Sequence, residues 1–353
     1  MLLGKELPII IFGRSMDRIK VFVTGATGTV GLYLVGYLAS RGYQVVGLVR
    51  PTSQRELLEK IIQSHPNKIS SVVADIKKIG HLSEDMAGCD VVVHTAAAVE
   101  PYSNWDELRQ VNVQGTDNVL QAAINAGVKH FIHISSLSVI TGDQDQFKVN
   151  EEQVPIYSRE LYANSKIEAE KVALAHAADG HINVTILRPG FIYGPGERTW
   201  MPKLIQAMKK GRALLVGNTD KETNVIYVEN LCRAIEASLL NAKTYGEIYN
   251  LTDGQPITKK VLFDTICDGL HLPRVTLIIP AFAAKLLVES ASALTPFVPN
   301  YFKNKLALYS RAAYRLVAIN QGFDISKAER DLKYVERIPF AEGMARTLST
   351  WKT

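Results

Sequence analysis

The chain has 353 residues, 47% of them apolar, and its 40 Lys and Arg against 35 Asp and Glu give a formal charge of +5. That length and apolar content support one large α/β domain with a smaller appended part and argue against disorder. The basic residues are scattered, which leaves no arm for nucleic acid and no polybasic anchor, and Cys89, Cys232 and Cys267 show neither metal spacing nor a disulfide framework, as suits a reducing cytoplasm.

The first segment, Leu7-Pro8-Ile9-Ile10-Ile11-Phe12, is too short for a secretory apolar core and lacks a small-residue cleavage site, so residues 1–15 read as an N-terminal extension. No stretch reaches the roughly 18 uncharged apolar residues of a membrane span. Ile19–Thr24 is a β-rich run that stops at glycine, and Leu32–Ser40 has helical apolar spacing. Strands at Tyr43–Val49, Ser71–Ala74, Asp90–Thr95, His130–Ser135 and Asn183–Leu187 alternate with helices at Gln54–Gln63, Trp105–Ala126 and Arg159–Ala178. This alternation predicts parallel pairing and right-handed crossovers, hence a doubly wound Rossmann sheet. After Pro189 the rhythm changes to a helix at Met201–Lys210, a strand at Asn224–Tyr227, a helix at Val228–Asn241, a strand at Ile248–Leu251 and a helix at Lys259–Leu270. The expected division is a nucleotide-binding domain over 16–190 and 224–251, with a smaller substrate-binding lobe over 191–223 and 252–353.

Between the first strand and its helix stands Gly25-Ala26-Thr27-Gly28-Thr29-Val30-Gly31. Gly25 permits a tight turn, Gly28 lets the backbone approach a pyrophosphate, and Gly31 allows close helix–sheet packing, while the helix N-terminus offers N–H donors. By spacing alone this is equally an ordinary glycine-rich turn. Sites that prefer NAD place an acid about 20 positions on to take the ribose hydroxyls. Here the second strand ends in Arg50, with no acid before Glu56, and a planar cation suits the extra phosphate of NADP. Arg50 also fits a plain solvent-facing arginine. Asp75-Ile76, after the third strand, reads as a partner for an adenine amino group or as a helix cap. Ala96-Ala97-Ala98, after the fourth, leaves room for a flat ring or packs tightly.

Tyr162 and Lys166 are one helical turn apart and share a face. A free phenol loses its proton near pH ~10, and a nearby ammonium favours phenolate, so Lys166 is expected to bring Tyr162 down towards neutrality. Such pairs are also common on helix surfaces. Ser135-Ser136, at the carboxyl end of the fifth strand, is placed to hold a substrate oxygen, or to cap and turn the chain.

Taken together, these segments resemble the extended short-chain dehydrogenase/reductases over about Lys20 to Trp351. The glycine loop, Asp75-Ile76, His94-Thr95-Ala96-Ala97, Asn112-Val113-Gln114-Gly115-Thr116, Ser135-Ser136, Tyr162-x3-Lys166 and Leu187-Arg188-Pro189-Gly190 are similar to that family's motifs in the same order. The resemblance implies a nicotinamide oxidoreductase with Ser136, Tyr162 and Lys166 as catalytic triad. It implies a cofactor site drawn from Gly25, Thr27, Gly28, Thr29, Val30, Gly31, Arg50, Asp75, Ile76, Thr95, Ala96, Ala97, Asn112, Tyr162, Lys166 and Pro189, with NADP preferred over NAD and no metal.

Departures from the family separate its branches. Dehydratases carry an acidic pair where this chain has Leu137-Ser138. Nucleotide-sugar enzymes usually have asparagine near Gly190 and arginine shortly before a segment like Tyr227-Val228, and this chain lacks both. Gly194-Pro195-Gly196-Glu197, Asn224–Asn230, Phe323–Ala328 and the apolar run Val275–Leu294 are similar to the 3β-hydroxysteroid dehydrogenase-like branch, which includes bacterial 2-alkyl-3-oxoalkanoate reductases. Lys285 and Glu289 interrupt that run, which then suits either a helix packed in the lobe or an amphipathic lid in peripheral contact with a membrane. The resulting expectation is hydride transfer on a hydroxyl or keto group of a small hydrophobic substrate. Alternatives are a nucleotide-sugar epimerase or dehydratase and a non-catalytic NADP-binding regulator, and a homodimer is left open.

Overall fold

The computed structural model describes residues 10–11, 14–15, 18–99, 104–294 and 310–351. Most of the expected extension over 1–15 lies outside the described residues; within it Ile10–Ile11 pairs antiparallel with Arg14–Ser15. Val, Ile and Phe dominate seven short runs that form one parallel sheet: β1 (Lys20–Thr24), β2 (Gln44–Val49), β3 (Ile69–Val73), β4 (Val91–His94), β5 (His130–Ile134), β6 (Asn183–Pro189) and β7 (Ile248–Leu251). Their order is β3-β2-β1-β4-β5-β6-β7. The winding reverses between β1 and β4, and the crevice at the carboxyl edge there is where such sheets take ligands.

Helices cover both faces, which is why the central strands are apolar throughout and not alternating. On one face α1 (Thr29–Ser40) supplies Leu34, Val35 and Leu38 against Val21, Val45 and Val93. On the other, α3 (Gly115–Asn125) and α4 (Leu161–Ala178) supply Val119, Ala123 and Ala173 against Phe22, Val92 and Phe131. A shorter helix, α2 (Glu56–Ser64), follows β2. The single helix expected over Trp105–Ala126 contains a wider π-helical turn at Arg109–Gln114 before α3. Wide turns of this kind are frequent at functional sites, and this one turns Asn112 into the interior, where it is 1% exposed.

A second apolar core lies beside the sheet. It is built around α5 (Met201–Lys209), the start of α6 (Val228–Ser238), α7 (Lys259–Gly269), α9 (Arg311–Ala318) and α10 (Phe340–Ser349), with Tyr193, Leu204, Phe263, Leu316 and Phe340 at its centre. Of the segment 224–251, β7 joins the main sheet as a strand and α6 packs into its core with Leu231, Ala234 and Ile235. Val225–Tyr227 pairs in parallel with Phe191–Tyr193 instead. The backbone explains this: Phe191 N donates to Asn224 O at 2.8 Å, and a Cβ on Gly190 would sit 1.7 Å from that same oxygen. Glycine is therefore required at 190.

The apolar run after Val275 becomes α8 (Ala281–Leu294), whose Ala284 and Val288 face inward while Phe282 and Leu286 are exposed. Among the described residues, no helix is long and apolar enough to cross a membrane.

One buried ion pair fixes how α4 meets the sheet. Arg188, on β6, grips Glu170 of α4 through Nε–Oε1 (2.9 Å) and a second guanidinium contact to Oε2 (2.6 Å), and Ser135 donates to Oε1 at 2.5 Å. Removing one member of such a pair strands the other's charge and costs about 3–5 kcal/mol, whereas removing both costs less. Glu170→Ala should therefore lower urea-denaturation stability by about that amount, and Glu170→Met with Arg188→Met together should recover much of it. Stability losses that simply add would contradict this coupling.

Candidate active site

The carboxyl ends of β1 to β6 lie along one edge, and the residues singled out from the sequence follow those ends. Thr24 closes β1 and binds across to the end of β4: Thr95 Oγ1 donates to Thr24 O (2.7 Å), and Ala96 N donates to Thr24 Oγ1 (3.2 Å). The glycine loop turns in the narrow space this leaves. Gly25 has φ +68°, and a Cβ there would lie 2.9 Å from Ala96 Cα; a Cβ on Gly31 would lie 2.2 Å from Gly25 O. These contacts hold the first turn of α1 against the loop, with its N-terminal amides at the crevice, and such a cradle fits a dinucleotide pyrophosphate. Bound there, a nicotinamide cofactor supplies or accepts hydride.

Gly28, Thr29, Val30, Gly31, Thr95, Ala97, Ser136, Tyr162 and Pro189 all line one cavity of about 1200 Å³. Thr27 sits half-buried in the same turn. Arg50 is exposed directly after β2, and no ion pair holds it among the described residues. Asp75 accepts from Lys77 N at 3.0 Å and pairs with the Lys77 ammonium at 3.6 Å, a turn-capping arrangement. Ile76 is buried and wedges under the start of α3, where Asn118 Nδ2 donates to its carbonyl.

Asn112 lies beneath the cavity. Its amide accepts from Ala98 N (2.7 Å) and donates to Ala98 O (3.0 Å) and to Ser165 Oγ (2.9 Å). Ser165 in turn donates to Tyr162 O at 2.7 Å, so the π-turn braces the catalytic helix.

Both serines of the pair line the cavity with Tyr162, but Ser135 is buried and committed to Glu170, while Ser136 is half-buried. Burial pushes the Tyr162 phenol up to about 12, and Ser136 acts in the opposite sense. Lys166 does not bring the phenol down as the sequence suggested. Its ammonium instead donates to Ile134 O (2.8 Å) and His133 Nε2 (3.2 Å) on β5. Burial pulls Lys166 down to about 8, partly countered by Glu170.

The far wall of the cavity comes from the second core, with Phe191, Trp200, Leu204, Phe263 and Val288 among its apolar residues. Charged groups frame it. Glu160, just before α4, is paired with the buried Arg315, and Glu289 joins Arg159 to Arg311, each at 2.8 Å. Arg198, Lys203 and Arg212 also line it and have no ion-pair partner among the described residues. Sequence reasoning passed over Glu170, Arg188 and the rim cations. Glu170 had a signal, since it continues the Tyr162–Lys166 face by one more turn; the rim cations come together only through the fold.

The profile of the NAD dependent epimerase/dehydratase family matches residues 21–252, and the chain belongs to that family. A 2-alkyl-3-oxoalkanoate reductase of Shewanella oneidensis is 28% identical, the match covering 92% of this chain and 84% of the relative. A 3 beta-hydroxysteroid dehydrogenase/Delta 5-->4-isomerase of Mycobacterium tuberculosis is 31% identical over 89% of this chain and 85% of its own. Among solved structures, a dTDP-glucose 4,6-dehydratase from Streptomyces venezuelae with NAD bound superposes with TM-score 0.75 at 24% identity, over 95% of this chain and 97% of that one, a likeness of fold. The protein is a nicotinamide-dependent dehydrogenase/reductase of the extended short-chain type.

The cradle makes a sharp prediction. Gly31→Ala forces its Cβ onto Gly25 O and must push the loop away from α1. Affinity for the reduced cofactor, followed by its fluorescence, should fall at least about tenfold, a change of about 1.4 kcal/mol, with the circular dichroism spectrum retained. Unchanged affinity would show that the loop gives way without harm.

Proposed function

We propose that this protein interconverts a hydroxyl and a keto group on a largely hydrophobic substrate, with NADP(H) preferred over NAD(H). The observation that carries the reading is continuity: Ser136 and Tyr162 line the same cavity as the glycine loop, and that cavity runs on into an apolar chamber of the second core. Burying an apolar substrate body there contributes about 25 cal/mol per Å². In the reductive direction Ser136 holds the carbonyl oxygen and Tyr162, protonated at neutral pH, gives its proton as negative charge develops on that oxygen. In the oxidative direction the proton returns to Tyr162. The Lys166 ammonium, anchored on β5, supplies a positive charge one helical turn behind Tyr162.

The unpaired Arg198, Lys203 and Arg212 offer partners for an acidic group at the far end of such a substrate, as in the oxoalkanoate of the Shewanella relative's name. The same cations favour the second reading, a nucleotide sugar, whose diphosphate they could meet. The discriminating experiment sets graded keto and hydroxy acids and sterols against nucleotide sugars, with reduced nicotinamide followed by absorbance and Tyr162→Phe as control. Specificity should rise with the length of the apolar chain, and Tyr162→Phe should lose nearly all turnover while still binding cofactor. Epimerisation or dehydration of a nucleotide sugar at comparable efficiency, or full activity in Tyr162→Phe, would refute the proposal.

Cofactor choice rests on Arg50, exposed after β2 and without an ion-pair partner among the described residues. A charge-assisted bond to the 2′-phosphate contributes about 1.5–3 kcal/mol, about tenfold or more in affinity. Arg50→Asp should erase or reverse the preference in paired titrations, and tighter binding of NAD by the wild type would refute it.

A further inference from the structure

The floor of the site holds more titratable groups than proton transfer requires. Lys166, His133 and His94 are packed together below the carboxyl edge of the sheet, and all three are buried. An ammonium has three N–H donors and no acceptor. Lys166 directs two of them at β5, to Ile134 O and His133 Nε2. His133 Nε2 must therefore accept, which places the ring's single hydrogen on Nδ1. That Nδ1 has no hydrogen-bond partner among the described residues. The ring thus leaves its own N–H unmet while presenting a lone pair to Lys166.

No neighbour can take over this part. Thr116 donates its hydroxyl hydrogen to Asn112 O (2.6 Å), so it accepts from His94 Nε2 (3.0 Å), and His94 Nδ1 accepts from Thr24 Oγ1 (2.8 Å). Both nitrogens of His94 are committed, and its ring stacks on His133 with centroids 5.6 Å apart. Glu170, one turn along α4 from Lys166, has both oxygens engaged by Arg188 and Ser135. The ionisable groups around the ammonium are thus two imidazoles and the Glu170 carboxylate, which Arg188 engages and which still raises the lysine in part, while Tyr162 stands one turn earlier on α4. Burial, together with the Lys166 charge, keeps both imidazoles neutral, His94 falling to about 3 and His133 well below its ordinary value.

We infer that His133 is a positioning residue for Lys166: its neutral Nε2 fixes the ammonium by a lone pair and not by a counter-charge, so the ammonium keeps its positive charge on the floor of the site. A carboxylate at this place would hold the lysine but cancel its charge. An aliphatic side chain would leave a buried donor bare and favour loss of its proton. This role rests on the proposed oxidoreductase function, and its test separates the two.

The full-length protein with isotopically labelled lysine is titrated by NMR through the alkaline range, Lys166 being assigned by its absence in Lys166→Met, alongside pH profiles of kcat and KM. In His133→Leu the Lys166 midpoint and the alkaline limb of kcat should both move down by about one pH unit, a tenfold change in the proton equilibrium, with KM nearly unchanged. His133→Gln carries an amide oxygen close to the place of Nε2 and should restore both. His133→Asn is too short to reach and should behave as the leucine variant, which preserves the contrast if that variant does not fold. Identical Lys166 midpoints in the wild type and every folded variant overturn the inference, whether or not the enzyme turns over. A wild type that lacks nicotinamide turnover yet shows the displaced midpoint overturns the functional reading and leaves the positioning role standing.

Discussion

The carboxylate of Glu170 is the point at which the active site is assembled. It sits on α4 and binds Arg188 of β6 and Ser135 at the end of β5, three elements far apart in the chain. A buried ion pair with this much desolvation adds little net stability compared with an apolar replacement. What it does supply is registry. Charge-assisted bonds are directional, so α4 cannot slide or rotate against the sheet without breaking them. The residues one and two turns earlier on the same face are Lys166 and Tyr162, and the residue after Ser135 is Ser136. The placement of Ser136, Tyr162 and Lys166 is therefore set from behind by a pair that does not itself line the cavity.

That placement also explains the electrostatics. Glu170, taken up by Arg188, offsets only part of the effect of burial on Lys166. The Lys166 ammonium rests on a carbonyl and a neutral imidazole, neither of which cancels its charge. Tyr162 stays protonated in this environment, pushed up to about 12 by burial. The two shifts run in opposite directions, the phenol up and the ammonium down, because burial penalises the charged form of each. Under the proposed function, a substrate oxygen that gains negative charge between Ser136 and Tyr162 would meet a proton donor with a cation one helical turn behind it. Stabilisation of this kind is strongest where water is excluded.

Much of this was legible in the sequence because it rests on local rules. Glycines before a helix, alternating strands and helices, and a Tyr and Lys one turn apart each follow from backbone sterics or helical periodicity. Boundaries failed where tertiary context decided. β3 begins at Ile69, earlier than its apolar content suggested, because Ser70 and Ser71 sit on an exposed edge strand. Val225–Tyr227 looks like a sheet strand but pairs with Phe191–Tyr193, since Gly190 brings the two backbones together. The choice of Ser136 over Ser135 came from the family resemblance, whereas the structure adds that Ser135 is taken up by Glu170, 34 positions on from Ser136 and near the pair only in the fold. His133 was invisible for a similar cause: in a strand of apolar neighbours, a histidine reads as a packed ring until the lysine above it is placed.

The two halves of the molecule meet where the chemistry requires it. Thr29, in the first turn of α1, donates to Gly196 O in the loop leading to α5. Glu197 in that loop accepts from the backbone amides of Trp200 (3.3 Å) and Met201 (2.9 Å), so its carboxylate caps the helix whose Leu204 and Ala207 line the cavity. Along its length α1 is also tied to α6, Tyr33 to Glu229 and Tyr37 to Glu236. The helix whose N-terminus suits a pyrophosphate is thereby fastened to the lobe that walls the substrate chamber. Hydride transfer demands that two ligands be held at a fixed separation, and misplacement by about an ångström is enough to lose much of the rate. Hydrogen bonds from the Thr29 hydroxyl to Gly196 O and from the first amides of α5 to the Glu197 carboxylate meet that demand. Side chains of the chamber can then change with the substrate while the distance between the two sites is kept.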